Sequence, residues 1–139
     1  MGIPTTDCPV QIQIWVDDNA VTTGNSVGVY LVDNRVSSGS EAEGTANLST
    51  ACSQGTNVCW QVFLINPKSN STVDIQSIGN SKAWGFSGQP QRAPDNASAF
   101  TGTVQNAGSA GYPLAINVQL SGGSGTTVTL NPSVNVSAS

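Results

Sequence analysis

The sequence predicts an all-β protein, an antiparallel β-sandwich of immunoglobulin-like or jelly-roll type with about 8–10 short strands. Three observations carry that reading. Apolar residues alternate with a period of two, turn residues recur at roughly ten-residue intervals, and no helical period of useful length occurs. A closed barrel is the alternative architecture. The 139 residues suit one domain, spanning 1–139.

The strands follow in order. Val10, Ile12, Ile14 and Val16 alternate with Gln11, Gln13 and Trp15 over 10–16, and Asp17-Asp18-Asn19 breaks the run. A second strand over about 26–32 places Val27, Val29 and Leu31 on one face and Tyr30 on the other, and Asp33-Asn34 closes it. Residues 45–50 form a weaker candidate with Ala46 and Leu48 inward. Residues 58–65 are apolar on both faces apart from Gln61, the pattern of a central strand covered on both sides. The turn 66–70, with Pro67, leads into a strand over 72–78 with Val73 and Ile75 inward. Residues 82–86 read as a short strand, and 88–96, holding Pro90 and Pro94, as a long exposed loop. Strands over 99–106, 114–120 and 126–136 complete the chain, the last interrupted at Pro132. The glycine-bearing stretches 107–112 and 121–125 read as turns.

Composition narrows function mainly by exclusion. Charged residues are 9% of the chain, against about 25% in an average soluble domain. Four Lys and Arg against eight Asp and Glu leave a formal net charge of -4. Nucleic acid is thereby excluded as a partner, because neutralising phosphates takes clustered basic residues. No histidine occurs, so no imidazole acts as base, acid or metal ligand. No apolar run is long enough for a membrane span. The first ten residues lack the basic start and apolar run of a secretory signal. Cytoplasmic inclusion and secretion both stay open. The polar remainder, rich in Ser, Thr, Asn, Gln and Gly, repels its neighbours weakly, so a homo-oligomer is expected.

Certain segments resemble a known family. The opening strand ending in Val16-Asp17 and the run Val29-Tyr30-Leu31-Val32-Asp33-Asn34 come first. The loop Gly39-Ser40-Glu41-Ala42-Glu43-Gly44, the segment from Val58-Cys59-Trp60 to Asn66-Pro67, and Asn131-Pro132 before Val134 and Val136 complete the pattern. In this layout the chain is similar to the AidA/PixA family of bacterial proteins, known from inclusion bodies and quorum-regulated virulence settings. The resemblance implies a compact β-sandwich without enzymatic activity, and it brings no active site with it.

Candidate sites fall into four groups. Cys52 and Cys59 flank a short span between two expected strands, and a hairpin there would bring them within disulfide range. Free buried thiols are the alternative, and Cys8 is a further partner for either. Three cysteines without histidine argue against structural zinc. Asp17, Asp18, Asp33 and Asn34 are candidate calcium ligands if their loops share one end of the sheet, since calcium takes six to eight oxygens. Their plainer role is turn formation. Trp84, Phe86, Arg92, Asp95 and Asn96 combine an aromatic face with carboxylate, amide and guanidinium groups, a set suited to a glycan. Trp84 and Phe86 also alternate as inward strand residues would, and Trp15 and Trp60 read as core or sheet-face residues. Glu41 and Glu43 lie in a Ser- and Gly-rich loop without apolar surroundings and read as solvated, so catalysis by paired carboxylates is not expected.

The composite expectation is a non-enzymatic protein acting by binding or self-assembly. A carbohydrate-binding module or lectin, with calcium as its conceivable cofactor, is the first alternative. A structural fibre or coat subunit is the second.

Overall fold

A computed structural model describes residues 3–20, 28–120, 123 and 125–138. Strand β1 (Val10–Val16) buries every even residue and leaves every odd one half-exposed, as its alternation dictates. It pairs with two neighbours. One is β2 (Val29–Asp33), antiparallel, and the other is β4 (Thr56–Leu64), parallel. On the far side of β4 run β7 (Phe100–Val104) and the two-residue β6 (Gln91–Arg92), giving a five-stranded sheet in the order β2-β1-β4-β7-β6.

Among the described residues two three-stranded sheets accompany the large one. One has the order β10-β9-β5, from β5 (Thr72–Ile78), β9 (Leu114–Gln119) and β10 (Gly125–Leu130). The other has the order β3-β11-β8, from β3 (Ser49–Ser53), β8 (Gly108–Gly111) and β11 (Ser133–Ser137). A single core joins all three. It takes Ile12, Ile14, Val16, Leu31 and Trp60 from the large sheet, Ile75, Ile116 and Val128 from the second, and Cys52, Ala110 and Val134 from the third. The sandwich expected from the sequence is therefore the architecture found, without closure into a barrel. Most pairings are antiparallel, while β1 with β4 and β3 with β11 run parallel.

Several local expectations are corrected. The strand expected over 45–50 begins at Ser49, although Leu48 is fully buried and Ala46 packs on the core as foreseen. Residues 82–86 form a 3-10 turn over Lys82–Trp84, because the Ser81 hydroxyl caps Ala83 N–H and Gly85 takes a φ of 63°. Within the stretch read as the turn 107–112, Gly108–Gly111 is an edge strand along β11. Pro132 does interrupt the last run, and it separates two strands of different sheets. The expected start of the second strand, with Ser26 and Val27, lies outside the described residues, as do Ser121, Gly122 and Ser124 of the turn 121–125. A bulge between Ile75 and Ser77 in β5 keeps Ile75 and Ile78 both inward. Among the described residues no helix is long and apolar enough to cross a membrane.

Candidate functional site

Edge strand β2 points Val29 and Leu31 into the core, and the next residue in that phase is Asp33. A carboxylate thus stands where the alternation calls for an apolar side chain. The loop after β2 folds back over it through backbone bridges from Leu31 to Thr45 and from Glu41 to Ser49. Ala42, with φ of 63°, makes the bend that swings Glu43 inward. Glu43 Oε1 accepts a hydrogen bond from Asp33 N–H at 2.9 Å. Burial first, and then the facing Asp33 carboxyl, hold the Glu43 carboxyl above the usual range. The sequence reading of Glu43 as solvated is corrected, whereas Glu41 is exposed.

Around this pair the polar atoms are unusually short of partners. Asp33 Oδ2, Glu43 Oε2, Arg35 Nε and Thr50 Oγ1 are all buried without a hydrogen bond. Arg35 also lines a cleft of about 220 Å³ with Ser38, Ala51, Cys52, Ser53, Asn135 and Ser137. Burial pushes the Cys52 thiol up to about 11, with Arg35 opposing and Asp33 adding to the shift. The thiol is therefore protonated at neutral pH and behaves as an apolar wall. A guanidinium, three serines and an amide around a cleft of this size can hold a small polar molecule by hydrogen bonds. Asp33 was legible as a candidate through the Asp33-Asn34 pair at the strand end, and its phase with Val29 and Leu31 is what turns its side chain inward. Glu43 and Arg35 carry no such signal, because loop folding places them.

The expected metal ligands do not converge. Asp17 follows the end of β1 and Asp33 ends β2. In consecutive antiparallel strands those positions lie at opposite ends of the sheet, roughly 15 Å apart. Asp17 Oδ1 accepts from Asn19 N–H at 3.0 Å, and Asp18 Oδ2 accepts from the hydroxyls of Ser69 and Ser71. Asn34 bridges to the start of β1, accepting from Gln11 N–H at 2.9 Å and donating to the Pro9 carbonyl at 3.1 Å. Among the described residues no cluster of three or more acidic or cysteine side chains is arranged to hold a metal ion.

The expected glycan set is likewise dispersed. Trp84 is buried, its indole N–H donating to the Gly79 carbonyl at 2.9 Å, and its ring packs against Trp60 and Tyr112. It offers no face to a sugar. Phe86, two residues on, stands wholly in solvent because Gly85 turns the chain out. Arg92 forks onto Asp74 at 3.0 and 3.2 Å, bonds the Ala97 and Ile75 carbonyls, and lies over the Phe100 ring. Asp95 accepts from Thr5, and Asn96 caps its own turn by accepting from Ser98 N–H. Each polar group is thus engaged in holding loops. Trp60 lies in the core, and Trp15 stacks on Phe63 at 4.9 Å on the outer face of the large sheet.

All three cysteines are free. The expected Cys52–Cys59 bridge is not formed, because the 53–56 connection crosses from one sheet to another and makes no hairpin. Cys52 faces the main core, while Cys59 points to the opposite side of β4, into a small cluster with Cys8, Ala93 and Ala99.

Fold and cleft together describe a β-sandwich with a small polar cleft lined in part by Arg35. The family model for a domain of unknown function, DUF8788, matches residues 8–127, and the chain belongs to that family. No curated protein matches it in sequence. In fold it is similar to the crystal structure of inclusion body protein PixA from Burkholderia cenocepacia. The two share 15% identity, with 94% of each chain covered and a TM-score of 0.61.

Proposed function

We propose that the protein is a non-enzymatic β-sandwich of AidA/PixA type that acts by associating with itself, as suits a protein stored at high density. The observation that carries this reading is Phe86, a fully exposed aromatic ring on a turn whose cap and glycine hold it outward. Tyr30, Val36 and Ile65 add further exposed apolar side chains to a surface with few charges to keep copies apart. The likeness to an inclusion body protein over nearly the whole chain supports it as well. The absence of histidine supports the non-enzymatic part. Sedimentation velocity across a wide concentration range tests it, with reversible oligomers expected in the wild type and fewer in Phe86→Ser. Monomers throughout would overturn it. Regular fibres under the electron microscope would instead favour a structural subunit that pairs through its open sheet edges.

A second reading, carbohydrate binding, is favoured by the cleft beside Arg35. Its serine hydroxyls and the Asn135 amide match the hydrogen-bonding needs of a polyhydroxylated ligand. A glycan array with and without chelator checks it, and Asn135→Ala is expected to abolish any signal found. An array blank under both conditions removes the reading.

A further inference from the structure

Residues 3–8 cross the outer face of the large sheet as a strap. Ile3 exchanges two hydrogen bonds with the Thr101 hydroxyl, at 2.9 and 2.6 Å. Thr5 donates through its N–H and its hydroxyl to Asp95, at 2.9 and 2.6 Å. The Asn57 amide donates to the Asp7 carbonyl at 3.1 Å, and the Gln11 amide donates to the Cys8 carbonyl at 2.8 Å. The strap covers Cys59 and Thr101, register partners on β4 and β7 whose side chains leave the core side of the sheet.

Under the strap the two cysteines share one small cluster. Cys8 lies three residues before Gln11, the parallel register partner of Cys59, and its thiol donates to the Pro4 carbonyl at 3.8 Å within the strap. Both thiols are buried in one small apolar cluster with Ala93 and Ala99, and each lies close enough to shift the other's titration. Cys52 belongs to a different cluster on the other side of the sheet.

We infer that Cys8 and Cys59 are a disulfide-forming pair whose oxidation bolts the strap to the central strand. With a low-molecular-weight disulfide such as oxidised glutathione, the Cys8 thiolate attacks one sulfur and expels the first glutathione thiolate. The Cys59 thiolate then attacks the Cys8 sulfur and expels the second. The two protons leave with the two glutathione thiols, the protein pair is oxidised by two electrons, and the reagent is reduced by two. Burial pushes Cys8 to about 11 and Cys59 to about 12, so the reaction in the folded protein is slow and accelerates with pH or with opening of the strap.

The test refolds the full chain, and separately incubates the folded chain at alkaline pH, in a buffer of oxidised and reduced glutathione. Alkylation in denaturant and peptide mapping by mass spectrometry then read the thiols. The expected product is a Cys8–Cys59 cross-linked peptide with Cys52 alkylated, unchanged in Cys52→Ser and lost in Cys8→Ser and Cys59→Ser. Cleavage of the strap by a nonspecific protease is expected to slow in the oxidised protein and to recover with reductant. Three alkylated thiols after both treatments, or a bridge that includes Cys52, would overturn the inference. Because Cys52→Ser leaves the pair intact, a folding defect in the other variants does not obscure the outcome.

Discussion

Trp60 Nε1 donates a hydrogen bond to the Tyr112 hydroxyl at 3.1 Å in the fully buried centre of the sandwich. The indole belongs to the large sheet, and Tyr112 follows β8 of a small one. Trp84 meets both rings edge-on or tilted, at 5.6 and 5.4 Å. The three aromatics thus tie two layers together with one polar contact at their hub. Burial holds the Tyr112 hydroxyl well above the usual phenol range, with the indole bond opposing, so the oxygen stays neutral.

Tyr112→Phe keeps the ring contacts and strands the Trp60 N–H. A buried donor left without a partner costs about 1–3 kcal/mol. Denaturant unfolding is expected to show a loss of that size with an unchanged slope. A neutral substitution would mean that the indole finds another acceptor.

Glu43→Gln addresses the carboxyl pair. Because the folded-state pKa of Glu43 is raised, its contribution is fully present below the ordinary value of 4.5 and is lost as pH rises through the folded value. The amide keeps an acceptor for Asp33 N–H and adds a donor for Asp33 Oδ2. The variant is expected to be more stable than wild type at neutral pH, because it carries no charge to bury. That gain should shrink towards pH 4, and melting curves across pH 4–8 read the crossing. A uniform loss at every pH would contradict a burial penalty on the Glu43 carboxylate.

Asp95 behaves in the opposite sense. Hydrogen bonds from the Thr5 hydroxyl and N–H lower its pKa, so its contribution is present above the ordinary value of 3.8 and is lost as pH falls through the folded value. Amide protection at 3–8, corrected for the intrinsic slowing of exchange in acid, is therefore expected to fall at acid pH ahead of protection in β1. Asp95→Ala should show the lower protection already at neutral pH. Equal protection in the variant and the wild type would remove Asp95 as an anchor of the strap.

Two glycines give a paired test of packing. A Cβ at Gly88 would lie inside contact distance of the Trp84 and Thr103 carbonyl oxygens, and both belong to backbone that does not yield. Gly88→Ala is expected to cost about 3 kcal/mol. At Gly111 the Cβ would meet only the Pro132 carbonyl, at an ordinary 3.6 Å, so Gly111→Ala should stay within about 0.5 kcal/mol. Thermal melts of the two variants side by side decide it.

Alternation made some elements legible and hid others. The strands over 10–16 and 72–78 were readable to the residue, because each has a wet face and a dry one. Alternation says nothing of partners, so the parallel neighbours of β1 and β3 could not be read. Trp84 and Phe86 alternate on paper, but the Ser81 cap and Gly85 turn one inward and the other out. Glycine content concealed β8, where Ala110 is the single inward side chain. Of the site, Asp33 was visible as a candidate but for a metal. Its association with Glu43 depends on a loop reversal at Ala42, a non-glycine position with a left-handed backbone that no propensity announces.

The placement of β11 between β3 and β8 governs the order of assembly. During synthesis, β3 and β8 leave the ribosome with no partner between them, and their small sheet forms only when Ser133–Ser137 arrives. Until then the apolar side of the nascent chain stays uncovered, and completion waits on contacts between residues more than eighty positions apart in the sequence. A chain stopped short of β11 would therefore leave the inner edges of β3 and β8 unpaired.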